Sequence, residues 1–124
     1  MDNPVVGWVV IVEGAGQGIS LPLGNGANTL GRNGNQRVML DFGDTQISRE
    51  IHAVITYDPK GHLFYLQNGS GVNLTYLQTE TGSVPVLSPI VLEHGQYIQV
   101  GNTTLKFVAL CGSGFAWDQL PSDA

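Results

Sequence analysis

Apolar positions fall in many short β-prone runs separated by Gly, Pro, Asn and Asp, and no window free of Gly or Pro repeats them at helical spacing. The runs span 5–12, 19–23, 28–30, 37–40, 52–57, 62–67, 72–77, 84–87, 90–92, 96–100 and 103–110. The run 52–57 alternates as a half-buried strand does, with Ala53, Ile55 and Tyr57 on one face. Asp58-Pro59-Lys60-Gly61 then reverses the chain, with Pro and Gly where a type I turn favours them. Gly101-Asn102 between the last two runs is a tight hairpin signal. So many short strands in one small domain predict an all-β fold, a β-sandwich of about eleven strands with loops gathered at its ends. We assign residues 1–111 to this sandwich and 112–124 to an acidic C-terminal tail. The tail holds Phe115 and Trp117, either packed back on the sandwich or held out as a docking segment.

The 124 residues, 42% of them hydrophobic, suffice for one domain with a real core. A net charge of −5 and the lack of a basic stripe argue against nucleic-acid binding. The single cysteine, Cys111, excludes an internal disulfide and a cysteine-based zinc site. The run Val9-Val10-Ile11-Val12 is too short to span a membrane, and no basic segment of a signal peptide precedes it. These features predict a cytoplasmic chain with no membrane partner, no metal and no cofactor.

Charge is scarce, so its placement is informative. Three of the five cations, Arg32, Arg37 and Arg49, fall in one short stretch beside Ser, Asn and Gly. Guanidinium groups with a hydroxyl and backbone N–H donors suit the binding of a phosphate. Arg32 follows Gly31 at a strand end, and Ile47-Ser48-Arg49 precedes His52-Ala53. A third block reads Asn68-Gly69-Ser70-Gly71-Val72-Asn73. His52 near Ser48 and Asp44 does not make a catalytic set: the Gly-x-Ser-x-Gly elbow is absent and no helix presents a nucleophile. We therefore read the chain as no enzyme.

In this order the blocks resemble the forkhead-associated (FHA) family, over about residues 5–110. Gly31-Arg32 resembles its Gly-Arg, Ser48-Arg49 with His52 its Ser-Arg-x-His, and Asn68 to Asn73 its Asn-Gly-Thr-x-Val-Asn. The stretch from Leu92 to Gly101 is similar to its closing Leu-x-x-Gly-Asp-x-Ile-x-Ile-Gly. The resemblance implies a signalling module that binds a phosphothreonine-containing protein, the substrate of a Ser/Thr kinase, and performs no chemistry. It implies phosphate contacts from Arg32 and Ser48, with the Ser48 N–H available to join. Arg49 is either a second phosphate cation or a solvated side chain. Asn68 and Gln67 would meet the peptide, while Gly31, His52, Gly69 and Asn73 would shape the loops.

The chain departs from the pattern in four places. Ser48 to His52 is one residue longer, with Ile51 as the extra residue. Gln67 stands for a small Ser or Thr, Ser70 for Thr, and Leu74 for Gly. The insertion and the aromatic tail leave a second reading, a scaffold module that docks a partner whatever its phosphorylation.

Overall fold

A computed structural model describes residues 2–119. Eleven strands form two sheets, and no α-helix occurs among the described residues. One sheet has the order β2-β1-β11-β10-β7-β8 and the other β4-β3-β5-β6-β9. The first comprises β1 (Gly7–Glu13), β2 (Ser20–Leu23), β7 (Thr75–Thr79), β8 (Gly82–Pro85), β10 (Tyr97–Val100) and β11 (Thr103–Ala109). The second comprises β3 (Gly26–Gly31), β4 (Val38–Met39), β5 (Ala53–Asp58), β6 (Leu63–Asn68) and β9 (Ile90–Leu92). All pairings are antiparallel except that of β3 with β4. The predicted all-β sandwich is the fold observed.

Alternation creates the core. Val9, Ile11, Leu105 and Phe107 face inward from one sheet, and Leu30, Ile55, Phe64 and Leu66 from the other, all essentially inaccessible to water. Phe64 and Phe107 meet across the two sheets at 4.7 Å between ring centroids, near edge-on. Each such buried side chain contributes about 1.5–3 kcal/mol by leaving water.

Three local expectations change. Residues 72–74 are not strand: β7 begins at Thr75, and Val72 is 95% exposed. Asn68 Oδ1 accepts from the Thr75 N–H at 2.9 Å, so a side chain closes this loop. The strand expected at 84–87 is β8, two residues earlier, because Thr79 pairs with Gly82 and fixes the register. At 58–62, the His62 N–H reaches the Asp58 carbonyl at 2.8 Å, making a wider turn than Asp58 to Gly61. The residue with positive φ is His62, at 58°. A longer loop whose last residue is left-handed matches the twist of the paired strands.

Gly101-Asn102 closes β10 onto β11 as the sequence predicts, with Gly101 at φ 57°. The connections β3–β4, β4–β5, β6–β7 and β10–β11 gather at one pole of the sandwich. At the opposite pole, Val6 O accepts from the N–H groups of Leu110 and Cys111. There a 3-10 turn, Trp117–Gln119, follows buried Ala116. Phe115 and Trp117 pack on the core, and the indole N–H of Trp117 donates to Val5 O at 2.8 Å. The rest of the expected tail, residues 120–124, lies outside the described residues.

Candidate functional site

Three segments meet at the loop-bearing pole. The Arg32 N–H donates to Ser48 O at 3.0 Å, and the Asn33 N–H to Arg49 O at 2.9 Å. This zips the start of the β3–β4 connection to the loop before β5. Gly31 is required here, because a Cβ would overlap the Glu50 carbonyl oxygen. On the other side, Gly69 and Gly71 donate their N–H groups to His52 O (2.9 Å) and Ile51 O (3.2 Å). A Cβ at Gly69 would overlap Ile51 O, so the loop after β6 lies directly on the inserted residue.

Arg32 is aimed by its own loop. Its Nε donates to Ile47 O at 2.6 Å, and among the described residues no hydrogen bond engages its two terminal nitrogens. A half-buried guanidinium held by one edge and free at the other is pre-set to grip two oxygens of an anion. Arg32 forms no ion pair with Asp44. That carboxylate is buried, accepting from the Gln46 and Asn102 N–H groups and the Thr103 hydroxyl at 2.9, 2.7 and 2.6 Å. Asp44 thereby ties the loop before Ile47 to the β10–β11 hairpin. Sequence reading assigned Asp44 no such role, since its two hairpin partners lie 58 and 59 residues away.

Arg37 does not join the cluster. Its Nη1 donates to Asn25 O, Ala27 O and Asn28 Oδ1 at 2.8, 3.0 and 3.3 Å, clamping the start of β3. Of the three arginines clustered in sequence, that leaves Arg32 and Arg49 on the loops of this pole. Arg49 is exposed and in no ion pair among the described residues.

Ser48 differs from expectation in two respects. Its N–H donates to His52 Nδ1 at 3.0 Å, so it is not free for a ligand. Its hydroxyl is buried without a hydrogen-bond partner, covered by Gly71, where a Cβ would overlap it. His52 is fully buried, with Nε2 3.2 Å from Leu74 O. Accepting at Nδ1 makes Nε2 the protonated nitrogen of a neutral ring. Burial pushes the His52 pKa down, outweighing the Leu74 carbonyl and the Asp44 charge that favour the cation.

Asn68 Oδ1 is engaged by Thr75, and among the described residues no hydrogen bond involves its Nδ2. Asn73 Nδ2 donates to Gln46 O at 2.8 Å, fastening one loop to the next. Gln67 is exposed one position before Asn68, where strand alternation puts it on the opposite sheet face from Asn68. The structure thus brings together Gly31, Arg32, Ser48, Arg49, His52, Asn68, Gly69 and Asn73, and leaves Gln67 apart. Alongside, a cleft of about 380 Å3 opens among Gln46, Asn73, Tyr76, Gln99 and Asn102. Among the described residues, no three metal-ligating side chains cluster.

The FHA domain family model matches residues 28–101, more than half of the chain. The chain belongs to the FHA domain family. No curated protein matches it by sequence. Among solved structures it is similar to the FHA domain of an Arabidopsis thaliana hypothetical protein, at 21% identity and TM-score 0.70, covering 87% of this chain and 88% of that one. It is also similar to Mycobacterium tuberculosis EmbR in complex with a low-affinity phosphopeptide, at 24% identity and TM-score 0.67, covering 85% of this chain and 24% of that one. A third is an FHA domain from a study of phosphothreonine-dependent FHA domain interactions, at 23% identity and TM-score 0.65, covering 83% and 95%.

Proposed function

We propose that this chain is a non-catalytic module that binds phosphothreonine-containing proteins at the pole carrying Arg32. The observation that carries the reading is the Arg32 guanidinium, fixed through Nε and open at both terminal nitrogens. Family membership and a neighbour captured with a phosphopeptide support it. Phosphate carries close to −2 at neutral pH, and Arg32 with Arg49 would roughly neutralise it. Asn68 Nδ2 would hold the ligand backbone. The Ser48 hydroxyl would join only once the Gly71 turn lifts from it. A long 3.2 Å bond from Gly71 to Ile51 holds that turn, and the buried hydroxyl beneath has no partner to lose.

Charge-assisted hydrogen bonds contribute about 1.5–3 kcal/mol each, so Arg32→Ala should weaken phosphothreonine-peptide binding at least about tenfold by calorimetric titration. Equal affinity in the variant would sink the reading. The partner would be a Ser/Thr kinase substrate in the cytoplasm. Binding unchanged by phosphatase treatment would favour the phosphate-independent scaffold, which the buried Ser48 hydroxyl keeps in play.

A further inference from the structure

We propose that Glu50 selects phosphothreonine ligands that carry an arginine or lysine beside the phosphorylated residue. This deepens the reading above and rests on it. The zipped pairs Arg32–Ser48 and Asn33–Arg49 place Glu50 at the rim of the Arg32 site. Its side chain is oriented there: Asn33 Nδ2 donates to one carboxylate oxygen at 3.2 Å, and among the described residues no hydrogen bond engages the other. The residue is exposed and in no ion pair with any cation among the described residues.

An unneutralised carboxylate at this rim works against the proposed ligand. A like charge at the rim repels a phosphate bound at Arg32 wherever the two lie within the screening length, about 8 Å in physiological salt. A ligand without compensating charge pays this repulsion. One bearing a guanidinium or ammonium next to the phosphothreonine pairs with the free carboxylate oxygen and cancels it. Asn33 is itself anchored through its backbone to Arg49, so the carboxylate is held before the ligand arrives. The chain's net charge of −5 adds a long-range pull on the same basic flank.

The test is a four-cornered cycle on the whole chain. Phosphothreonine peptides with alanine flanks, or with one arginine placed at each flanking position in turn, are titrated into the native protein and into Glu50→Gln. Glutamine keeps an oxygen for Asn33 and removes only the charge. At one or more positions arginine should tighten native binding about threefold, the scale of an exposed ion pair, and 0.5 M salt should erase the gain. In Glu50→Gln the gain should vanish, while the alanine-flanked peptide binds at least as well as before. A gain that persists undiminished in Glu50→Gln, or no gain at any position, overturns the proposal and leaves the phosphothreonine reading intact. Absence of any phosphate-dependent binding overturns both.

Discussion

At the scale of single residues, the site is shaped as much by groups already engaged as by groups left open. Arg32 and Arg37 have the same chemistry, yet one is held only through Nε among the described residues and the other is bound through Nη1 to three oxygens of its own chain. Sequence reading could place both on loops but could not separate them, because the acceptors of Arg37 come from Asn25 and the first residues of β3, nine to twelve positions earlier. Ser48 was identified by type and spacing. The direction of its hydroxyl was not legible, since Gly71 covers it from a loop more than twenty residues on. His52 leads to a prediction with a definite sign. Its folded pKa lies below the unfolded value of about 6.5. The unfolded chain therefore binds the proton first as pH falls. The stability contributed by neutral His52 is complete above about pH 6.5 and declines from there toward the lowered folded pKa. Urea unfolding between pH 7.5 and 5 should show this decline. His52→Gln, though less stable, should show a shallower one; an unchanged slope would assign the decline to other groups.

At the scale of elements, the strands were readable and the joints only in part. Period-two alternation in β5 and the Gly101-Asn102 hairpin appear where the sequence puts them. The run from Val72 looked like strand because its composition is β-prone. It is loop because Gly69 and Gly71 press it onto Ile51. The inserted Ile51 is accordingly a support for the second loop, not slack to be absorbed. Deleting Ile51 would restore the family spacing on paper. In the protein it should remove the acceptor for the Gly71 N–H and break the Ser48–His52 bond. We expect a loss of stability of about 1–3 kcal/mol, the cost of stranding buried donors, measurable by chemical denaturation. A deletion variant as stable as the parent would contradict this account of the loop.

At the scale of the whole molecule, the loops that carry Arg32 and the aromatic tail occupy opposite poles. Removing residues 112–124 takes away the Phe115 and Trp117 packing and the indole bond to Val5. The midpoint of thermal unfolding should fall, with a loss of about 2 kcal/mol for these partly buried rings. Phosphopeptide affinity of the truncated protein, measured below that midpoint, should stay within about twofold, since cost and site lie at different ends. Loss of binding in a truncated but folded protein would place a docking function in the tail.

The hydrogen bonds of Val6 to Leu110 and Cys111, and of Trp117 to Val5, gather the first strand's approach and the last strand's exit at one place. A neighbour attached through either segment would therefore start from the pole opposite Arg32. Copies strung in tandem, or a neighbour fused on either side, would leave every mouth unshaded. Two such modules on a flexible tether could engage two phosphorylated sites of one partner at once, so that avidity is set by tether length and not by any change at the mouth.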